Sequence, residues 1–102
     1  MNPAGAFTIA PDHPSLPGHF PGRPVVPGVV LLDHALEVML QLHPDHRVAG
    51  LPSAKFLRPV LPGETVAVAC GALRDGRVAF TCRVGDTEAV RGTVVLAEVT
   101  PG

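Results

Sequence analysis

Hydrophobic and polar positions along this 102-residue chain fall into two periods. From Gly28 to about His43 the stretch "GVVLLDHALEVMLQLH" is apolar nearly all the way round a helix. It is broken only by Asp33, Glu37 and Gln41, at i, i+4 and i+8, with His34 beside the first. That spacing predicts an α-helix, and so extensive an apolar surface predicts a buried one. Pro27 suits the helix start, where its missing N–H costs no hydrogen bond, and Pro44 stops the helix just after His43. Downstream the period shortens to two. Glu64–Arg74 alternates and is rich in β-branched residues. In Arg77–Val84, Val78, Phe80, Cys82 and Val84 share one face, with Arg77, Ala79, Thr81 and Arg83 on the other. Asp75-Gly76 reads as a hairpin turn and Gly85-Asp86 as the next one. Thr87–Val99 is the last strand, with Gly92 marking a bulge. Ala6–Ala10 is a short first strand, and Arg47–Val60 an irregular one ended by proline. One helix followed by a run of antiparallel strands predicts an α+β fold with the sheet curled round that helix.

Between the first strand and the helix lies "PDHPSLPGHFPGRPVVP", Pro11 to Pro27. Proline removes backbone donors and fixes φ, so this stretch is neither helix nor central strand. Loops of such length are functional or disordered. Leu16, Phe20, Val25 and Val26 give it apolar anchors, which favours an ordered, functional loop.

Composition narrows the classes. The chain is 46% hydrophobic and 17% charged, enough for one packed core, and length and the absence of repeats predict one domain over residues 1–102. The formal net charge of −1 lacks the basic excess of a nucleic-acid binder. The apolar runs fall short of the roughly 20 residues of a membrane span. The N-terminus lacks a basic, then long apolar, secretory signal, so a cytoplasmic location is expected. In that setting Cys70 and Cys82 are expected as buried reduced thiols, although neighbouring strands could also bridge them. "HPDH", His43 to His46, has the look of a metal-ligand pair, but no matching cluster stands elsewhere and no metal is expected.

The stretch "GHFPGRPVVPGVVLLD" resembles the signature of the hot-dog-fold 3-hydroxyacyl-ACP dehydratases. In that family a His-Phe-x-Gly-x-Pro-Val-x-Pro-Gly loop leads into the central helix, with an acid fourteen residues after the His. His19 and Asp33 keep that spacing. "AKFLRPVLPGE", Ala54 to Glu64, is similar to the family's second segment. The resemblance covers about Ile9 to Leu73, and the short chain with its "DHPSLPGHFPG" lead-in looks most like the small dehydratases of aryl-polyene and xanthomonadin-type pigment clusters. It implies a hot-dog fold, with the antiparallel sheet wrapped around one long helix. It further implies a homodimer, or a multiple of dimers, whose site takes His from one chain and the acid from the other. The substrate would ride on the phosphopantetheine arm of acyl carrier protein, with no cofactor of the enzyme's own, in fatty acid or polyene pigment synthesis.

The chemistry suits these residues. Removing water from a 3-hydroxyacyl thioester needs a base for the α-proton, an acid for the departing hydroxyl and a dipole for the thioester oxygen. Imidazole transfers protons near neutrality. A carboxyl in an apolar pocket holds the proton it must donate. A helix N-terminus aims free N–H groups at an oxyanion. His19 is therefore assigned as base, Asp33 as acid and the Gly28 N–H as carbonyl donor. Phe20, Val26, Phe56 and Leu57 would line an acyl tunnel, or serve as core. Arg23, Arg47, Lys55 and Arg58 would form a basic rim for an acidic carrier protein, or are ordinary surface charges. Asp33 also reads as a solvated helix-face residue in one stripe with Glu37 and Gln41. Glu37 stands where the family often has Gln, and it sets a like charge one turn from Asp33. Three other functions remain open: a hot-dog thioesterase, double-bond isomerisation alongside dehydration, and a non-catalytic acyl-binding subunit paired with a paralogous chain.

Overall fold

In the computed structural model, which describes residues 1–11 and 25–99, five strands pair into one sheet beside a single helix. The elements are β1 (Asn2–Thr8), α1 (Gly28–Gln41), β2 (His46–Phe56), β3 (Thr65–Cys70), β4 (Arg77–Val84) and β5 (Thr87–Glu98). All neighbours are antiparallel in the order β1-β3-β4-β5-β2, so β1 and β2 are the edges. Helix α1 packs against β1, β2 and β3. This is the α+β arrangement that the periodicity predicts.

Alternation builds the core. Val66, Val68 and Cys70 of β3, Val78, Phe80 and Cys82 of β4, and Val90, Val94 and Leu96 of β5 all point inward and are buried. The β3–β4 connection closes as expected. Asp75 and Gly76 both have positive φ, 51° and 76°, and Arg74 and Arg77 exchange backbone hydrogen bonds of 3.0 and 2.9 Å across them. Those dihedrals match the twist of a two-residue primed turn. Cys70 and Cys82 are free and buried. Burial raises the Cys70 thiol and pushes that of Cys82 up to about 11, so both are held as unreactive thiols.

Several expectations shift. The first strand runs from Asn2 to Thr8 instead of Ala6–Ala10, because pairing with β3 continues past a bulge between Pro3 and Gly5. Pro3 is tolerated there because β1 is an edge. The helix ends at Gln41, and β3 leaves its ladder at Cys70. The helix is not buried all round. Leu31, Ala35 and Met39 form its one buried row, while Asp33, Glu37 and Gln41 are exposed and Val29 is 66% exposed. Two residues turn a helix by about 200°, so a row that starts at residue 33 faces away from one that starts at 31. The carboxylate expected inside the molecule is therefore on the outside of the single chain.

Gly92 does not mark the bulge. The register shift on β5 falls at Ala89, between Cys82↔Val90 and Arg83↔Glu88, and Gly92 pairs regularly with Phe80 and Ala54. Its reason is closeness. A Cβ there would meet the Ser53 carbonyl oxygen and lie 2.9 Å from the Phe80 ring. Phe80 fills the space over a bare backbone.

The turn after β2 carries a charged clasp. Glu64 accepts from both sides: Arg58 Nη2 reaches its two carboxylate oxygens at 3.0 and 3.1 Å, and the Leu61 N–H reaches Oε1 at 2.8 Å. Arg58 Nε also donates to the Pro59 carbonyl at 2.9 Å. The Leu61 N–H lowers the Glu64 pKa most; Arg58 adds to this, and desolvation opposes it. The sequence pattern does not single out these two residues as a pair.

Two outcomes follow for stability. Gly92→Ala is expected to cost about 1–3 kcal/mol in urea unfolding with an unchanged slope, since the collision is with backbone and a packed ring. For Glu64 the folded pKa lies below the unfolded one, so its contribution is present above the ordinary carboxylate value of 4.5 and is lost as pH falls through the lower folded value. Glu64→Gln is expected to cost under about 1 kcal/mol at neutral pH, because the pair is partly exposed. Its stability difference from the native chain should vanish on acid titration.

Candidate active site

Helix α1 begins at a backbone that leaves donors open. Pro27, at φ −58° and ψ 142°, holds the N-cap position and offers no side-chain cap. Its carbonyl accepts from Val30 at 3.0 Å and Leu31 at 3.2 Å. The N–H groups of Gly28 and Val29 lie ahead of any intrahelical acceptor. The first turn contains no acid to neutralise the positive end of the helix.

Two contacts set where this end points. The Val26 N–H donates to the Val60 carbonyl at 2.8 Å, tying the entry of the helix to the clasped turn. The Phe56 ring lies against Gly28, so close that a Cβ on Gly28 would sit 2.8 Å from the ring. A side chain at position 28 would push the ring away from the helix end. Beside them opens a cleft of about 560 Å³, lined by Val26, Gly28, Leu31, Phe56, Leu57 and Val60 with Arg58 and Pro59 at its side. It is mostly apolar, with a helix N-terminus at one wall and a guanidinium at another. Such a space can hold an acyl chain and offer N–H groups to a carbonyl oxygen.

The residues expected at a site divide into three groups. Gly28, Val26, Phe56 and Leu57 come together at the cleft. Asp33 does not: it sits on the exposed outer row of α1 with Glu37, and among the described residues neither forms an ion pair. Lys55 does not either. Strand alternation turns it to the opposite face of the sheet from Phe56, across from Arg91. His19, Phe20 and Arg23 lie outside the described residues. The basic rim is thus not gathered as expected, since Arg58 is bonded to Glu64 and Arg47 sits near the far end of β2. The Arg58–Glu64 clasp was missed; a charged pair flanking "PVLPG" at i and i+6 was the available signal. His43 and His46 meet edge to face with centroids 5.8 Å apart, and among the described residues no group of three or more ligating side chains forms.

Comparison with known proteins places this geometry. The 3-hydroxyacyl-[acyl-carrier-protein] dehydratase FabZ of Thermomicrobium roseum is 37% identical over 70 residues, which is 61% of this chain and 47% of that protein. The chain spans about half the length of the curated relatives it matches. Among solved structures, the dehydratase heterocomplex ApeI:P of Xenorhabdus doucetiae superposes with a TM-score of 0.79 at 24% identity, covering 91% of this chain and 84% of that one. A single-site mutant of the fluoroacetyl-CoA-specific thioesterase FlK superposes at 0.67 with 14% identity, covering 93% of this chain and 84% of that one. Both structural likenesses establish the hot-dog fold, which dehydratase and thioesterase share. A family model described as ApeI dehydratase matches residues 2–93, from the first strand across the helix, the cleft and most of the sheet, and on that match the chain belongs to the ApeI-like dehydratase family.

Proposed function

We propose that this protein is a 3-hydroxyacyl-ACP dehydratase that converts a 3-hydroxyacyl thioester to the trans-2-enoyl thioester. The observation that carries the reading is the uncapped helix end at Gly28 opening on an apolar cleft, in a chain of this family. The thioester carbonyl oxygen would accept from the Gly28 N–H, which draws charge off the α-carbon. His19, in the proline-bound loop just ahead, would take the α-proton. Asp33 would give its proton to the 3-hydroxyl as the C3–O bond breaks and the C2–C3 double bond forms. Water leaves, and the two proton transfers balance. The substrate would arrive on the phosphopantetheine arm of acyl carrier protein, and no resident cofactor is needed for these steps.

The exposed position of Asp33 supports a site built from two chains. On one chain its carboxyl faces solvent on the outer row of the helix, away from the cleft. A second chain that covers the outer row of α1 would desolvate it and bring the other half of the acid–base pair. Among the described residues β2 is an edge strand, unpaired on one side and able to take such a chain. The similarity to a dehydratase heterocomplex favours a paralogous partner as a second reading beside a homodimer.

The test is turnover of a C4 to C10 series of 3-hydroxyacyl-ACP substrates, followed by mass spectrometry. His19→Ala and Asp33→Asn are each expected to lower kcat/KM by about 10²–10⁴ with unchanged melting. Mixing the two inactive variants under subunit exchange should restore up to about a quarter of native activity, because one site of each mixed dimer is intact. Free acid in place of enoyl product would move the assignment to thioesterase. A folded chain silent on every substrate until a paralogous chain is added would establish the heteromeric form.

A further inference from the structure

Most of the basic side chains of this chain share one face. Five of its eight basic side chains, Arg47, Lys55, Arg77, Arg83 and Arg91, lie on the side of the sheet away from α1. The register shows this directly. Thr81 pairs with Arg91 and Arg91 with Lys55 in one cross-strand row, Ala79 with Thr93 and Thr93 with Ser53 in the next, and Arg77 with Val95 in the third. Arg83 lies in the row beyond the first, opposite Glu88, and Arg47, opposite Ala97, lies in the row beyond the third. Among the described residues only Arg91 of these five has an acidic partner, Glu88 at 2.8 Å. The exposed acids Asp33 and Glu37 are on the helix, on the other side of the molecule.

Lys55 and Arg91 are directly opposite across the strands, an arrangement that weakens a sheet. A face of this kind is stabilised by something anionic laid upon it. Its shape says what. The two basic rims are four residues apart along β4, from Thr81 to Arg77, or roughly 13 Å at about 3.3 Å per residue. The row between them is made of small side chains: Ala79, Thr93 and Ser53. A shallow hollow of about 400 Å³ lies there, rimmed by Arg83 and Arg91 with Glu88 between them. An α-helix is about 10–12 Å across with its side chains. It fits such a trough, with acids on both flanks reaching the guanidinium groups.

We propose that this face docks an acidic α-helix of a partner protein, laid across the strands between the two basic rims. The proposal rests on the sheet alone and stands whether or not the chain is a dehydratase. The acidic carrier of the proposed reaction would be one source of such a helix.

Binding of a fluorescent, hydrocarbon-stapled acidic helix of about 20 residues to the intact chain tests it, by anisotropy at low and moderate salt. The stapled helix is expected to bind, and to weaken as salt screens the contact. Arg77→Gln with Arg83→Gln should raise Kd by at least about tenfold. Gln41→Glu with Leu42→Glu changes net charge equally on the helix side, and should change Kd by less than about twofold. The proposal is overturned by absent binding at low salt, or by equal losses in the two double variants. It is also overturned if a proline-broken peptide of the same composition, heparin or anionic lipid vesicles bind as tightly as the helix. Those outcomes would make the face a general polyanion surface.

Discussion

The hydrogen bond from the Val26 N–H to the Val60 carbonyl decides where the helix starts. Both residues are buried, so neither group has water to fall back on, and leaving them unpaired would cost more than the bond itself returns. It fastens the exit of the proline-rich loop to the turn that Arg58 and Glu64 clasp. Gly63 then donates to Ile9 at 2.8 Å, and Leu57 to Ala89 at 2.8 Å, so the same short turn is tied to the end of β1 and to β5. The N-terminus of α1 is held by a frame that touches three parts of the sheet. Preorganised donors are effective because they do not have to move when charge develops, and in the proposed reaction this frame would hold the backbone that leads into Gly28.

Much of this was legible from residue spacing, and the exceptions have physical causes. Alternation placed Val78, Phe80 and Cys82 on one face because a strand's period is exact and local. Asp75-Gly76 identified the hairpin because few residues accept two positive φ angles in succession. The start of α1 was legible from Pro27. What sequence spacing could not supply was the other side of each contact. Gly92 looked like a bulge because glycine in a strand has two uses, and only the approach of Phe80 and the Ser53 carbonyl shows which applies. The clasp joins residues through a turn whose geometry two prolines and a glycine set jointly, and no period reports it. The family motif named Asp33 while local periodicity put it in a stripe with Glu37 and Gln41. The stripe describes one chain, and it is what the structure of one chain shows; the role that the motif implies for Asp33 is tied to the proposed two-chain site.

The single chain carries signs of being incomplete. Val29 and Leu42, at opposite ends of α1, are 66% and 51% exposed, and Phe56, the ring that lies on Gly28, is 49% exposed at the mouth of the cleft. Exposed apolar side chains of this size leave area unburied, and Phe56 ends β2, which is an edge strand among the described residues. A helix with one buried row and a mixed outer row suits a position between two layers, one of which is its own sheet.

Strand β2 connects the two faces of the molecule. Its pleat sends Phe56 to the helix side, onto Gly28, and the preceding Lys55 to the basic side, beside Arg91. The Leu57 N–H to the Ala89 carbonyl then anchors the strand's end at the place where β5 bulges. A partner bound through Lys55 would therefore bear on the backbone that carries the cleft's ring, separated from it by a single peptide unit. Bulges loosen a ladder locally, and β2 has two of them, around Ala49 and between Gly50 and Ser53, upstream of this point. The strand is thus pinned at its cleft end and compliant behind it.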